Sequence, residues 1–330
     1  RRAGSAPAMT ALDVPLAFTP SYHVLVWGGR KMAKWRKDLP EGPVGESWDL
    51  ADHERGMSVV ADGQLAGRSL RELTREHGRE LVGAGWDGGE FPLLVKLIDA
   101  SDRLSVQVHP DDALARSLGV GTRGKTECWL ILEDGGELFV GLKPGVTRQS
   151  FEQALAAGRV ADCLGRYEVA DGSFAFLPAR TVHALGRGCL LYEVQQTCDV
   201  TFRVDDWGRV GLDGKPRPLH VAQSLATIDF SGAAGGGLVD PPFAPCRAGG
   251  RSRQLASCAY FTVEERIALS TSGGGHGGFS IVTCLHGSGT LSTAAGGVRM
   301  QAMRTYLVPA AAGAWTAQGD GGELRLLFAR

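Results

Sequence analysis

The sequence lacks long hydrophobic runs and an excess of charge of either sign. Apolar runs such as residues 91–97 fall far short of the roughly 18 consecutive apolar residues that a membrane helix needs, and no signal-peptide pattern opens the chain. The 330 residues include 35 basic and 36 acidic side chains, a formal net charge of −1. This balance gives no general electrostatic reason to bind nucleic acid or an anionic membrane, and we predict that the chain binds neither.

The chain is also without a CxxC pair, and its seven cysteines are an odd number. Both observations argue against a disulfide framework and predict a reducing, cytoplasmic setting. No heptad pattern is present, so a monomer is the expected state. Residues 1–8 precede Met9, and we expect them to be a tag remnant or a disordered extension.

Helical patterns are few, and short β-like runs bounded by Gly, Pro or Asp dominate. Helices are predicted from cap-like starts at residues 69–81, 110–118 and 147–157. Many strands with a few interposed helices predict a mainly β fold, a sandwich or barrel with helical insertions. The predicted strands are residues 93–98, 104–108, 128–132, 137–142, 173–177, 190–194, 260–268, 279–285, 289–292, 305–308 and 324–328.

A change in composition near Gly232 divides the predicted strands into two sets. Residues 232–245 are rich in Gly, Pro and Ala and carry almost no charge, which we interpret as a connector. The predicted division is therefore a first β domain at residues 9–231, with helical insertions, and a second β domain at residues 232–330.

The strongest local pattern is the strand-like segment at residues 104–111. Residues two apart on a strand share a face, so Ser105, Gln107 and His109 point the same way and their apolar neighbours take the other face. An amide oxygen and an imidazole at this spacing can bind one metal ion. The alternative is a polar strand face that merely meets solvent.

Two further segments offer ligands of matching type. Lys125 and Glu127 share a face if their segment is extended, and a carboxylate can complete a metal site; the plain alternative is a surface ion pair. His183 follows a turn that begins with proline. An isolated histidine is more often a structural hydrogen-bonding residue than a metal ligand. Together Gln107, His109, Glu127 and His183 form an N2O2 donor set, which suits Zn²⁺, although ligand type alone does not exclude a redox iron.

Arg203 lies in a segment dense in polar groups beside apolar ones. It alternates with Thr201 and Asp199 on one face of the segment if the backbone is extended. An arginine there is either a solvated charge at a sheet edge or a bidentate partner for an anionic substrate.

These motifs resemble those of the type I mannose-6-phosphate isomerases in their shorter bacterial form. The resemblance runs from near Met9 to about residue 228 in the family's order, and the C-terminal β segment is similar to the family's second jelly roll. It implies a mainly β fold of two cupin, or jelly-roll, β-barrels with a small helical insertion, the first domain being catalytic. The matching stretches are residues 27–29, 45–48, 104–112, 124–132, 178–185 and 191–209.

The resemblance implies one Zn²⁺ per chain and a sugar phosphate as the small-molecule substrate. Arg203 matches the family's catalytic arginine, Lys125 a substrate-contacting lysine, and Ser105 a serine near the phosphate. Lys96, in the strand before the metal strand, is a further candidate for the substrate pocket. The residues that match the metal ligands are Gln107, His109, Glu127 and His183.

The implied reaction interconverts mannose 6-phosphate and fructose 6-phosphate through an enediol intermediate. Zn²⁺ and Arg203 would stabilise the negative charge that develops on the sugar oxygens. The general base is left open among Glu193, Asp199, Asp205 and a metal-bound water. The alternatives are an isomerase that acts on a free aldose, a cupin that binds sugar without turnover, and an iron dioxygenase.

One position departs from the family's pattern. The family usually has Pro-Ala-Gly-Thr before its second histidine, and this chain has Arg180 in place of that glycine. Gly accepts a positive φ that costs an arginine roughly 1 kcal/mol or more. The turn is therefore expected either to be ordinary here or to place Arg180 at the mouth of the pocket.

Overall fold

The computed structural model describes residues 11–246 and 249–330, so the predicted extension at residues 1–8 lies outside the described residues. The described chain is mainly β. Its α-helices are α1 (Leu70–Val82), α2 (Asp112–Ser117), α3 (Arg148–Ala156) and α4 (Val221–Thr227). No helix of these described segments has the length and apolar character needed to cross a membrane.

The first three helices confirm the predictions made from cap-like starts. Ser69 and Glu72 form a capping box at the start of α1, and the side chain of Asp111 accepts a hydrogen bond from the Leu114 backbone at the start of α2. Thr147 caps α3 through the Ser150 backbone. Helix α4 was not predicted, and it begins at His220 without a capping side chain. A capping side chain satisfies the free N–H groups of a helix's first turn and marks the helix start in the sequence. Helix α4 has no such side chain, so the sequence did not indicate where it begins.

The strands are short and follow one another in quick succession. In chain order they are β1 (Leu16–Thr19), β2 (Ser21–Gly29), β3 (Val44–Leu50), β4 (Asp52–His53), β5 (Gly56–Met57), β6 (Val59–Val60), β7 (Leu93–Ala100), β8 (Val106–Val108), β9 (Glu127–Ile131), β10 (Gly136–Leu142), β11 (Leu164–Val169), β12 (Phe174–Leu177), β13 (His183–Leu185), β14 (Cys189–Gln196), β15 (Phe202–Asp205), β16 (Gly237–Val239), β17 (Ala244–Pro245), β18 (Arg251–Ser257), β19 (Thr262–Ala268), β20 (Ser270–Gly273), β21 (Ser280–His286), β22 (Gly289–Thr293), β23 (Gly296–Met300), β24 (Arg304–Val308), β25 (Trp315–Gly319) and β26 (Leu324–Ala329).

The chain divides into two compact units, and neither is continuous in sequence. The first unit comprises Ser21–Gly56 and Pro92–Asp240. The second comprises the described residues 11–20 together with those of Met57–Phe91 and Pro241–Arg330. This grouping differs from the contiguous division at residues 231 and 232 that composition predicts, because β1 pairs with the distant β24, and local composition carries no information about such pairing.

Two large antiparallel sheets form most of the first unit, beside the short pair β4-β5. One has the order β16-β12-β9-β14-β7-β2-β3, and the other has the order β11-β10-β13-β8-β15. Side chains of both sheets share one apolar cluster, in which Ile98 and Trp129 of the first meet Leu138 and Leu185 of the second. Phe151 of α3 belongs to a second cluster with residues of β8 and β15, so the helical insertions cover the five-stranded sheet.

The interpretation of residues 232–245 as a connector is wrong for part of that stretch. Residues 237–239 form strand β16, which pairs with β12 through Phe174 and Val239. Backbone hydrogen bonding to a sheet edge does not require apolar side chains, so a Gly-rich segment joins the sheet here.

The second unit is again built from two antiparallel sheets. Their orders are β17-β18-β19-β26-β21-β24-β1-β6 and β20-β25-β22-β23. Val282, Tyr306 and Phe328 of the larger sheet share an apolar cluster with Leu291 and Trp315 of the smaller one. The predicted mainly β class with two jelly-roll units is confirmed, and among the described strands the sheets are open rather than closed into barrels.

Candidate active site

One row of side chains crosses the five-stranded sheet of the first unit. Gln107 of β8 is paired with His183 of β13 on one side and with Arg203 of β15 on the other. Directly opposed residues on neighbouring strands project from the same face. The pairing register therefore places His183, Gln107 and Arg203 side by side, although they are far apart in sequence.

A second row crosses the seven-stranded sheet. Lys96 of β7 is paired with Trp48 of β3 and with Glu193 of β14, and Glu193 is paired with Trp129 of β9. Glu127 lies two residues before Trp129, on the same face of β9. One face of this sheet thus presents acidic, basic and aromatic side chains next to one another.

His109, Glu127 and His183 form a buried cluster. Their ligand atoms all lie within 4.8 Å of one another. The Glu127 Oε1 atom is 3.1 Å from His183 Nε2 and 3.6 Å from His109 Nε2. The Gln107 Nε2 atom is 3.3 Å from His183 Nε2, and rotating the amide by half a turn would present its oxygen instead.

Backbone carbonyls fix the orientation of both imidazoles. His109 Nδ1 donates to the Val200 carbonyl at 2.9 Å, and His183 Nδ1 donates to the Thr181 carbonyl at 2.8 Å. A neutral imidazole that donates from Nδ1 carries its lone pair on Nε2. Both Nε2 lone pairs then face Glu127 Oε1, which is buried and has no hydrogen-bond donor among the described residues. Two lone pairs and a carboxylate oxygen thus converge where a cation could bind, and the donor types suit Zn²⁺.

The electrostatic surroundings keep these groups in the form that binds a metal. Burial and the neighbouring Lys125 lower the pKa of His109 to about 4. Burial alone would raise the pKa of Glu127, but Lys125 and His109 more than offset it and hold that pKa well below its usual range. An uncharged imidazole and an ionised carboxylate are the metal-binding forms of these side chains.

Two buried lysines lie beside the cluster. Lys125 contacts Glu127, and its Nζ lies 3.7 Å from Glu193 Oε1. The Nζ of Lys96 lies 3.2 Å from Glu193 Oε2 and 3.4 Å from Glu46 Oε2. Burial lowers the pKa of each lysine, but the carboxylates outweigh it and the net direction is upward. Both lysines therefore stay charged.

A cavity of about 300 Å³ opens over both rows. It brings together Ser105, Gln107, Lys96, Lys125 and Arg203, the predicted substrate, metal and catalytic residues apart from the buried histidines and Glu127. The remaining lining consists of His23, Leu25, Trp27, Glu46, Trp48, Arg55, Ile98, Leu104, Trp129, Glu193, Asp199, Thr201, Arg217 and His220.

The cavity separates the candidates for the general base. Glu193 and Asp199 line it, whereas Asp205 does not and instead accepts a hydrogen bond from the Trp207 backbone. Burial raises the pKa of Glu193. Asp199 forms an ion pair with Arg55.

Several lining residues were missed from the sequence. Glu46 alternates with Trp48 on β3, a pattern that could have placed both on one face. Arg217 and His220 lie in the segment between β15 and α4, where no periodic pattern indicates a role. Their position depends on how that segment folds back onto Arg203.

Arg180 keeps the backbone conformation of the glycine that it replaces. Its φ is 73°, so the expectation of an ordinary turn is wrong, and Arg180 is not among the described residues that line the cavity. Its backbone N–H donates to the His109 carbonyl at 2.7 Å, and its Nε donates to the Thr227 carbonyl at 3.1 Å. These contacts hold the strained turn against α4.

Comparisons with known proteins identify the family of this chain. Residues 16–127 match the family described as phosphomannose isomerase type I, catalytic domain. The chain is 34% identical to a mannose-6-phosphate isomerase of Streptococcus mutans over 93% of this chain and 96% of that protein. A crystal structure of the mannose 6-phosphate isomerase from Bacillus subtilis is 30% identical, with a TM-score of 0.87 over 96% of this chain and 99% of that one. A zinc-bound mannose 6-phosphate isomerase, 17% identical, shares the fold with a TM-score of 0.75 over 96% of this chain and 98% of that one.

Proposed function

The chain belongs to the type I mannose-6-phosphate isomerase family, and we propose that it interconverts mannose 6-phosphate and fructose 6-phosphate with one bound Zn²⁺. The observation that carries the proposal is the buried His109–Glu127–His183 cluster beside a cavity lined by lysine and arginine. Gln107 is the proposed fourth ligand, through its amide oxygen. When bound, Zn²⁺ would supply Lewis-acid stabilisation of the sugar oxygens without a redox change.

The chemistry moves a proton between two neighbouring carbons. The ring of the aldose phosphate opens and exposes a carbonyl at C1. Removal of the C2 proton, with a proton added to O1, gives an enediol. Protonation at C1 with loss of the O2 proton then gives the ketose. Of the carboxylates considered for this transfer, Glu193 and Asp199 line the cavity, and we propose that the base is one of these two.

Arg203 is the proposed catalytic cation. It neighbours Gln107 across the strand pair and has no acidic partner within ion-pair distance among the described residues. Its positive charge is therefore available to oxygens that become negative in the transition state, a kind of stabilisation worth about 3–4 kcal/mol per donor. Lys125 lies at the metal end of the cavity, 3.4 Å from His109 Nε2, where its ammonium can contact the same oxygens.

We also propose a cellular setting and an assembly state. All seven cysteines are free thiols, which supports a reducing compartment such as the cytoplasm. The monomer remains a prediction, and light scattering coupled to size-exclusion chromatography tests it.

A coupled assay with mannose 6-phosphate tests the function. Turnover is measured on the purified protein, after chelation, and after Zn²⁺ is restored. Activity that disappears with the chelator and returns with Zn²⁺ supports the proposal, whereas a fully Zn²⁺-loaded protein without turnover contradicts it. Free mannose is run in parallel, and equal turnover of mannose would contradict a sugar phosphate as the substrate.

A further inference from the structure

Arginines outnumber carboxylates around Arg203. Arg203 and Arg217 both line the cavity. Arg217 shares a single carboxylate, that of Asp206, with Arg209, and Arg203 has no acidic partner among the described residues. Arg209 also lies 3.7 Å from Asp102, which pairs with Arg187 at 2.9 Å. These four arginines thus have two carboxylates among them. Burial and the neighbouring Arg217 lower the pKa of Arg203, which is the effect of cations held close together.

The segment that carries Arg217 also holds Arg203 in place. Arg203 donates from Nη1 to the Pro218 carbonyl at 2.8 Å, and its backbone N–H donates to His220 Nδ1 at 3.1 Å. The His220 backbone N–H returns a hydrogen bond to the Arg203 carbonyl at 2.7 Å. Strand β15 and residues 217–220 therefore form one clamp.

This clamp leaves hydrogen-bond donors that face the cavity. Arg203 Nε is buried and has no acceptor among the described residues. Arg217 uses Nε and Nη2 for Asp206, at 2.8 and 2.5 Å, which leaves Nη1. Because His220 accepts at Nδ1, its neutral ring carries the proton on Nε2. Ser105 lines the same cavity, and its hydroxyl lies 3.4 Å from Gln107 Oε1.

We propose that Arg217 and His220, together with Ser105, bind the phosphate of the substrate and so determine its preference for phosphorylated over free sugars. The inference rests on the proposed function. A phosphate monoester carries a charge of about −1.5 to −2 near pH 7, which complements the unpaired charge of Arg203 and the charge of Arg217, whose carboxylate is shared with Arg209. Arginine forks and N–H donors are the groups that recognise phosphate oxygens.

Lys125 fits this role less well than Arg217 does. Lys125 is buried and contacts two carboxylates, Glu127 and Glu193, so its charge is already compensated at the metal end. Arg217 lines the same cavity and shares its one carboxylate, Asp206, with Arg209, so its charge is less fully compensated than that of Lys125.

Replacing Arg217 tests the proposal. In Arg217→Gln we expect the KM for mannose 6-phosphate and the inhibition constant of inorganic phosphate each to rise about tenfold, the loss of one charge-assisted contact, with kcat within about threefold. Arg217→Lys keeps the charge and the partner for Asp206, and it should lie between wild type and Arg217→Gln. The matched control is Arg209→Gln, which removes the other arginine on Asp206 from outside the cavity lining and should leave both constants within about twofold.

His220 is tested by a second pair of variants. His220→Gln keeps a side-chain donor and should leave KM within about threefold, whereas His220→Phe should raise KM and the phosphate inhibition constant by more than that. Equal effects of Arg217→Gln and Arg209→Gln, or a fall in kcat alone, would overturn the proposal.

The phosphate site can be tested without turnover. Calorimetric titration of the Zn²⁺-loaded protein with inorganic phosphate should show binding in wild type and Arg209→Gln, weakened about tenfold in Arg217→Gln. If wild type binds phosphate in this pattern but does not isomerise mannose 6-phosphate, the proposed function fails and the phosphate site stands. If wild type isomerises mannose 6-phosphate but Arg217→Gln binds phosphate as tightly as wild type does, the proposed function stands and the phosphate site fails.

Discussion

Two glutamates of the described residues are fully buried, Glu127 in the first unit and Glu265 in the second. Each lies on a strand of a jelly-roll unit, yet their partners differ. Glu265 accepts from Arg253 Nε at 2.7 Å and from Arg325 Nε at 2.6 Å, so both oxygens are occupied. Glu127 contacts Lys125 through one oxygen, and its other oxygen faces two histidine nitrogens without a donor.

The space between the sheets differs in the same way. In the second unit it is filled by apolar side chains such as Val282, Trp315 and Phe328. In the first unit the apolar cluster gives way to buried lysines, carboxylates and histidines beside a cavity. Burying such groups is costly unless they are paired or bind a ligand. The same arrangement of two facing sheets can therefore form an apolar core or a polar site. The side chains that point between the sheets determine which of the two it forms.

The largest expected effect is at Glu127. We expect Glu127→Gln to lower the Zn²⁺ content from one per chain to almost none and kcat/KM by about a thousandfold, roughly 4 kcal/mol of transition-state stabilisation. Metal analysis and the coupled assay measure both. If Glu127→Gln retains Zn²⁺ and turnover, Glu127 does not bind the metal, and the proposed difference in role between Glu127 and Glu265 is wrong.

Arg203 comes next. Arg203→Ala should lower kcat by about 100-fold, because one preorganised positive charge is lost from the transition state, while the Zn²⁺ content stays at one per chain. Arg325→Ala, at a partner of Glu265 in the second unit, is the matched control and should leave kcat unchanged. If Arg203→Ala has the kcat/KM of wild type, the catalytic role of Arg203 is wrong.

Glu265 should affect stability alone. In Glu265→Gln, Arg253 and Arg325 lose their buried negative partner, and we expect the free energy of unfolding to fall by about 3 kcal/mol. Urea denaturation measures this change, and kcat of the folded variant should match wild type. Reduced Zn²⁺ content in this variant would show that the two units are not separate in function.

The smallest expected effect is at Arg180. Arg180→Gly relieves a positive φ worth about 1 kcal/mol but loses a hydrogen bond to the Thr227 carbonyl of similar value, so stability should change by less than about 1 kcal/mol. Arg180→Ala loses the bond without relieving the backbone, and it should be less stable than Arg180→Gly. Equal thermal midpoints for the two variants would contradict this account of the turn.

The sequence predicted the parts of the fold and of the site that depend on neighbouring residues. Helices α1 to α3 begin at capping side chains, and strand alternation grouped Gln107 with His109 and Lys125 with Glu127. The contact between Lys96 and Glu193 depends on cross-strand register, and the contact between Arg203 and His220 depends on how a loop returns. Register and loop paths are set by long-range packing, so composition and periodicity did not indicate them.

The most direct measurement is a titration of metal-free wild-type protein with Zn²⁺ while turnover of mannose 6-phosphate is followed. The account predicts that activity rises in proportion to added Zn²⁺ and levels off at one ion per chain, and that Glu127→Gln shows no such rise whereas Glu265→Gln rises as wild type does. Full activity before any Zn²⁺ is added, or a rise that is the same in Glu127→Gln, would contradict the assignment of the chemistry to the polar interior of the first unit.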